Sequence, residues 1–599
     1  MNIVSLTDVD KSVGSGLLFE EVSLGIEEGE KIGLVGRNGS GKSTFLRLLT
    51  GGLEPDEGAI TRSRGLRLSP LAQRPPVIAG LTVDDYLFAE TELPSEEIDA
   101  AEQAATLQRY RVICTQLGMD DPSARLETLS GGMLKKIAIA RCLAFDADLR
   151  TLDEPTNHLD LDSVIWLEQR LKTSTDGFVM VTHDREMLDA VCTTIFEVAD
   201  RTIYRHPGNY STYLRRKADR QDERDSAEQR RVTILRRELE WLQRGPKART
   251  GKDKGRKDRI DAMLEAGPES EASMQSLPAA ERRLGKKVLE IDAISKSYDG
   301  SPVVSDFTYE FTPGERLGVI GPNGCGKTTL LDMIAGRVEP DTGAVSRGET
   351  TAFAYFDQTG RRIDASKTVL DYLKDEAERV RVSQETTISA EQFLERFLFP
   401  RSMFAQPLER LSGGEFRRLY LVRLLATAPN FLLLDEPTND LDIETLRVLE
   451  QYLEDFSGCV LLVSHDRALL NRLTDSLLVF DGTGGVRSFV GNYDAYRESL
   501  AQSQAANRDQ GSGRSGSGRK AVDREKKPGL SFREAQEYER LPDEVASGEE
   551  ELKSIEAKFG ESTHDPAELE AMTKRYHALR EEVERKTARW EELAERAEE

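Results

Sequence analysis

The apolar positions of this chain follow two rhythms. One is the short unbroken run: IGLVG ahead of a glycine loop, then PNFLLLDEP, FVMVTH and VLLVSH. A strand with one wet face alternates, so unbroken runs predict strands of a parallel sheet covered on both faces by helices. The other rhythm is helical. Val232, Leu235, Leu239 and Leu242 step by three and four, which puts them on one stripe of a helix. Ile260, Met263 and Leu264 restart it after GPKARTGKDKGRKDR, so a helical hairpin with a loop at its tip is expected. Further on, Leu541, Val545, Leu552, Ile555 and Phe559 keep heptad spacing, as do Leu569, Met572, Tyr576, Leu579, Val583, Trp590 and Leu593. Gly560 and Asp565-Pro566 break the run between them, which predicts a short antiparallel coiled coil.

The strand-forming parts occur twice. GRNGSGKST at 36–44 recurs as GPNGCGKTT at 321–329, LSGGM at 129–133 as LSGGE at 411–415, TLDEPTNHLD at 151–160 as LLDEPTNDLD at 433–442, and VTHDRE at 181–186 as VSHDRA at 463–468. Ordered motifs in near-constant register are a duplicated domain. The expected organisation is one α/β domain over 1–210, a charged helical linker over 211–287, a second α/β domain over 288–500, a flexible basic linker over 501–530 and the coiled coil over 531–599.

Composition narrows what such a chain does. With 82 Lys and Arg against 106 Asp and Glu, the net charge of the 599 residues is -24. That excludes a diffusely basic nucleic-acid binder, so any such contact belongs to local segments. Two qualify. Arg244 and the loop that follows it to Arg259 carry eight basic side chains against Asp253 and Asp258, and a Gly/Ser/Arg/Lys stretch runs from Arg508 to Lys527. A solvated charged loop and a plain tether are the competing readings of these two segments. No apolar run nears the ~20 residues a membrane helix needs, and MNIVSLTDVDKS has no secretory character, so a cytoplasmic protein without a membrane partner is expected. Five scattered cysteines suggest neither a disulfide framework nor a zinc site.

The repeated motifs carry chemistry. GxxxxGK[ST] between a strand and a helix is a phosphate cradle, in which glycines let backbone N–H groups converge on phosphate oxygens at a helix N-terminus. Here the cradles are Gly36, Asn38, Gly39 and Gly41, and Gly321, Asn323, Gly324 and Gly326. Lys42 and Lys327 are placed to reach β- and γ-phosphates. Ser43 and Thr328 are placed to ligate Mg²⁺, with Thr44 and Thr329 beside them. Asp153 and Asp435 end apolar strands next to the cradle, where a metal-binding acid belongs. Glu154 and Glu436, one residue on, suit a general base for an attacking water. His183 and His465 follow matching strands and read as γ-phosphate sensors. Gln73 and Gln358 read as positioners of water and Mg²⁺, or as solvated loop residues. The turns Ser130, Gly131, Gly132 and Ser412, Gly413, Gly414 each open a helix that can grip a phosphate. A domain whose turn and cradle lie on opposite edges cannot join its own pair, so the two domains are expected to pack head to tail.

These motifs, in this order and twice over, resemble the ATP-binding-cassette ATPases. Two cassettes, a charged helical linker and no membrane domain resemble the ABC-F family, and ELEWLQRGPKART with the C-terminal heptads is similar to its Uup branch. The resemblance implies α/β P-loop cassettes with ATP and Mg²⁺ at two composite sites. It pairs the first cradle with Ser412, Gly413 and Gly414, and the second with Ser130, Gly131 and Gly132. It implies Tyr298 stacked on adenine; Val13 stands at the matching place in the first copy. The first site is therefore expected to be the weaker, the more so because Arg150 sits in a strand expected to be buried and is costly there unless paired. The family works on the ribosome, its hairpin reaching towards tRNA, and the Uup branch is linked to branched DNA. A ribosome- or RNA-coupled ATPase, monomeric with its cassettes paired intramolecularly, is the leading expectation. A DNA-binding ATPase, a transporter's ATPase subunit and a scaffold of inactive cassettes are the alternatives.

Overall fold

The computed structural model describes residues 1–13, 16–89, 100–220, 284–298, 300–357, 366–381, 387–439, 441–500 and 502. The expected helical hairpin, apart from its two ends, lies outside the described residues. So do both basic segments, the C-terminal coiled coil and Gln358.

The first copy is built on a six-stranded sheet. Its strand order is Leu68–Leu71, Leu149–Asp153, Gly177–Val181, Lys31–Gly36, Thr194–Ala199 and Thr202–Pro207, parallel except for the last. Every residue of Leu149–Asp153 and of Gly177–Val181 is buried, as their unbroken apolar runs predict. One face is covered by helices Ala100–Gln116, Gly131–Ala144 and Leu161–Thr173, through Tyr110, Ile137, Ile139, Leu167 and Leu171. The other face packs on helix Lys42–Thr50 and on an antiparallel sheet of Gly16–Glu27, Asn2–Val13 and Glu57–Arg62.

The second copy repeats this plan. Its large sheet runs Phe353–Phe356, Phe431–Asp435, Cys459–Val463, Arg316–Ile320, Ser476–Phe480 and Val486–Val490; its small one runs Ser301–Phe311, Leu289–Tyr298 and Thr342–Arg347. The copies differ most on the helical side. The first has Ala100–Gln116, anchored by the fully buried Tyr110, whose hydroxyl donates to the Val83 carbonyl at 2.8 Å. The second, after helix Val369–Lys374 that matches Val83–Tyr86 of the first, has a hairpin of Arg379–Arg381 with Thr387–Ser389 and helix Ala390–Arg396.

Strand register positions the chemistry. Leu34 and Asp153 both pair with Val181, and Val319 and Asp435 both pair with Val463. The phosphate loop, the acidic pair and the loop carrying the histidine therefore leave the sheet side by side, at the carboxyl ends of parallel strands where ligands bind in α/β folds.

Arg150 is indeed buried, and it is paired. Its guanidinium donates to Asp176, to the Phe145 carbonyl at 2.9 Å and to the Cys142 carbonyl at 3.3 Å. Those acceptors offset the desolvation that an isolated charge would suffer. The expectation of a weak first site accordingly loses one of its two supports and rests on Val13 alone.

Residues Met1–Ala505 form one compact unit, and within it the copies exchange anchors. Leu161, the first residue of helix Leu161–Thr173, is buried in the core of the second copy. Ile443, at the start of the matching helix Ile443–Glu454, packs against the core of the first.

Candidate active site

Each phosphate loop turns into its helix through a left-handed glycine. Gly41 has φ 100° and Gly326 φ 107°. A Cβ on Gly326 would lie 2.1 Å from Val303 Cγ1, and one on Gly41 3.0 Å from Phe19 Cζ, so sterics as well as φ demand glycine here. The lysine one residue on curls over the loop. Lys42 Nζ donates to the Gly36 and Arg37 carbonyls at 2.7 and 3.0 Å, and Lys327 Nζ to those of Gly321 and Pro322 at 2.8 and 3.0 Å.

The carboxylates sit beneath the loops. Asp435 is fully buried, accepts from the Thr328 hydroxyl at 2.7 Å, and its pKa is pushed up to about 6 by burial. Asp153 is likewise buried, raised by burial and hydrogen-bonded by Ser43. Asp153 Oδ1, Asp435 Oδ1 and Glu154 Oε2 are buried atoms without a hydrogen-bond partner in the described structure. Buried carboxylate oxygens left open beside a hydroxyl suit a hard cation that takes oxygen ligands. Among the described residues no cluster of three His, Cys, Asp or Glu side chains would hold a metal alone.

Glu154 and Glu436 follow in an unusual backbone state. Their φ values are 45° and 50°, left-handed for residues that carry a Cβ, at a cost of about 1–3 kcal/mol each. Their backbone N–H groups donate to the Val181 and Val463 carbonyls, both at 2.9 Å. The histidines stand next to them, with His183 Nε2 3.2 Å from Glu154 Oε1 and His465 Nε2 3.3 Å from Glu436 Oε1. Burial pushes both glutamates up to about 8 and both histidines down to about 3. Near neutral pH each pair is thus a high-pKa carboxyl beside a neutral imidazole, suited to exchanging a proton with a water held between them and a phosphate.

Each site is completed from the other copy. A cavity of about 670 Å³ is lined by Asn38, Lys42, Ser43, Thr44, Gln73, Asp153, Glu154 and His183 of the first copy together with Ser412, Gly413 and Gly414 of the second. At the opposite junction, a Cβ on Gly132 would lie 2.7 Å from Asn323 Nδ2, and Asn323 Nδ2 donates to the His158 carbonyl at 2.7 Å. Around the first loop, the Asn38 N–H donates to Asp442 at 3.2 Å and Arg37 Nε to Glu444 at 2.7 Å. Both serine-glycine turns therefore face the opposite cradle, as the head-to-tail argument requires.

The turns are not equivalent. The Ser412 N–H and hydroxyl both donate to the Glu415 carboxylate, at 2.8 and 2.7 Å, in a full capping box. Ser130 accepts from the Met133 N–H at 3.3 Å, and Met133 has no carboxylate to return the bond. Gln73 is exposed at the cavity edge. Tyr298 is 47% exposed, with Lys296 Nζ 5.7 Å from its ring centre. Val13 is 54% exposed and lines the first cavity beside Leu18.

Sequence reasoning passed over two groups. Lys135, in the helix after the first turn, is buried and donates to the carbonyls of Ala72, Gln73 and Asp153 at 3.1, 3.0 and 3.1 Å, tying the Gln73 segment to the acidic strand. As one of two adjacent lysines, Lys135 and Lys136, it carries no hint of burial in the sequence. Arg185 and Arg467 stand inside the repeated THDR and SHDR segments, yet their partners lie hundreds of residues away.

A family profile described as ABC transporter matches residues 19–157 and again 304–439. Another of that description matches 196–277, and an ABC transporter C-terminal domain profile matches 529–595. The chain is 38% identical to the uncharacterized ABC transporter ATP-binding protein YfmR of Bacillus subtilis over 99% of both chains. It is 32% identical to the ATP-binding protein Uup of Escherichia coli K12, again over 99% of both. It is 36% identical to the energy-dependent translational throttle protein EttA of Mycobacterium tuberculosis H37Rv, covering 84% of this chain and 96% of the relative.

Proposed function

Because the chain belongs to the ABC-F family of tandem-cassette ATPases, we propose that it hydrolyses ATP at two composite sites and couples cassette closure to the ribosome or its RNA. The observation that carries this reading is that each serine-glycine turn lies against the other cassette's phosphate loop. Two nucleotides would then be held between the cassettes, so that binding favours the closed arrangement and hydrolysis releases it.

In this reading the loop N–H groups, Lys42 and Lys327 bind the phosphates. Ser43, Gln73 and Asp153, and Thr328, Gln358 and Asp435, would hold Mg²⁺. The open oxygens of the two aspartates fit that role. Bound Mg²⁺ neutralises phosphate charge and lowers the cost of ionising the nearby carboxylates. Glu154 and Glu436 take the proton of the attacking water. His183 and His465, neutral by burial, orient that water and the γ-phosphate. Tyr298 offers a stacking face for the second adenine; Val13 and Leu18 offer only apolar contact for the first.

The ribosomal side of the proposal is supported by the likeness to a translational throttle protein at 36% identity and by the family. No helix among the described residues is long and apolar enough to cross a membrane. The test uses the Glu154→Gln/Glu436→Gln protein, which should bind ATP without turning it over. With ATP it is expected to pellet with ribosomes, and with ADP to stay in the supernatant. Retardation of branched DNA without ribosome sedimentation would favour the DNA reading instead, and co-purification with an integral membrane protein the transporter reading.

A further inference from the structure

Two arginines cross the cassette interface in a matched pair. Arg185 Nη1 donates to Glu450 Oε2 at 3.0 Å, with Nη2 also 3.0 Å from Glu450 Oε1. Arg467 Nη2 donates to Glu168 Oε2 at 2.6 Å, and its Nε lies 2.9 Å from Glu186 Oε2. Arg185 and Arg467 occupy the same place in the two repeats, and so do Glu168 and Glu450. Arg185–Glu450 and Arg467–Glu168 are thus the same cross-cassette contact in the two copies; Arg467 adds Glu186, whose counterpart is Ala468, and Glu450 also accepts from Arg472 of its own cassette at 3.0 Å.

Each pair has one member out of water: the Glu450 side chain is 2% exposed and that of Arg467 5%, while their partners Arg185 and Glu168 are each 19% exposed. A buried ion pair is poor glue, because desolvation cancels most of its attraction, but it fixes register, since a misplaced partner leaves a bare buried charge.

The location says what is being registered. Asp184 and Asp466 cap the short helices Arg185–Val191 and Arg467–Leu473 by accepting from the N–H groups of Met187 and Leu469 at 2.9 and 3.0 Å. His183 and His465 precede those caps, and the two helices pack on each other across the interface. One capping aspartate is all that separates each arginine from the histidine beside Glu154 or Glu436.

We propose that Arg185 and Arg467 are reciprocal positioning residues: anchored on Glu450 and Glu168 of the opposite cassette, they bring His183 and His465 into line with Glu154 and Glu436 only when the cassettes are closed. This rests on the ATPase reading above and adds to it a reason why hydrolysis waits for closure. An open cassette separates the arginine from its anchor and frees the histidine turn to move.

The test is a double-mutant cycle in the full chain with Arg467→Met and Glu168→Gln, singly and together, and Arg467→Lys as the conservative variant. Each single change is expected to lower kcat for ATP by about ten-fold or more, with KM altered by less than about three-fold. The double variant should lose no more than the worse single one, because both remove the same contact. Arg467→Lys should recover part of the rate. Introduced into the Glu154→Gln/Glu436→Gln protein, Arg467→Met should leave ATP-driven closure intact, as read from the distance between labels on the two cassettes. A kcat within about two-fold of the parent, losses that multiply, or closure lost together with turnover would overturn the proposal. A parent protein with no ATP turnover would overturn the ATPase reading instead.

Discussion

The two glutamates concentrate what is unfavourable about this fold. Each combines a left-handed backbone with a buried side chain, and burial raises Glu436 to about 8. The folded chain therefore holds this proton more tightly than the unfolded chain, where a glutamate titrates near 4.3. Such a group weakens the fold as pH rises through the interval between the two values. Nucleotide-free Glu436→Gln protein is expected to melt above the parent, by the equivalent of about 1 kcal/mol near pH 5 and a few kcal/mol near pH 8. Thermal melts across that range check it, and an unchanged or shrinking gap with rising pH would contradict the burial argument. At this scale the chain was largely readable. The acids, the lysines and the histidines lie where their motifs put them, because spacing along a strand-loop-helix unit fixes local geometry. Lys135 and the crossing arginines were not readable as partners, because burial and cross-copy pairing are set by tertiary packing. Arg150 could be suspected from the sequence, but the carbonyls and Asp176 that satisfy it could not.

Among the elements, the phosphate loops show how unequal neighbouring glycines are. Gly39 has φ 79° with nothing within 4 Å of an added Cβ, whereas Gly326 has φ 107° and Val303 in the way. Gly39→Ala should lower stability by about 1 kcal/mol, the cost of the left-handed backbone alone. Gly326→Ala should cost more than about 2 kcal/mol and abolish nucleotide binding at the second site, because the strand carrying Val303 must move. Thermal shift with and without ATP distinguishes the two, and equal effects would refute the steric reading. The sheets were legible from their unbroken apolar runs. The helical side was less so: the hairpin and extra helix of the second copy carry too short a periodicity to be read.

At the scale of the molecule, the head-to-tail arrangement followed from chemistry before any coordinates, because a turn and a cradle on opposite edges need a partner. The residues that hold it were invisible, since Leu161 and Ile443 look like ordinary helix starts. Leu161→Ala should leave each cassette folded yet destabilise the closed pair by about 2–3 kcal/mol, raising the ATP concentration needed for half-closure by about thirty-fold or more. Distance measurements during ATP titration check this, and an unshifted midpoint would mean that the exchanged anchors carry no weight. The exchange has a wider consequence. Each half lends one apolar side chain to the other's interior, so a gene severed between the two would encode halves that fold yet seek one another out, and the covalent tether would prove a convenience of assembly more than its cause.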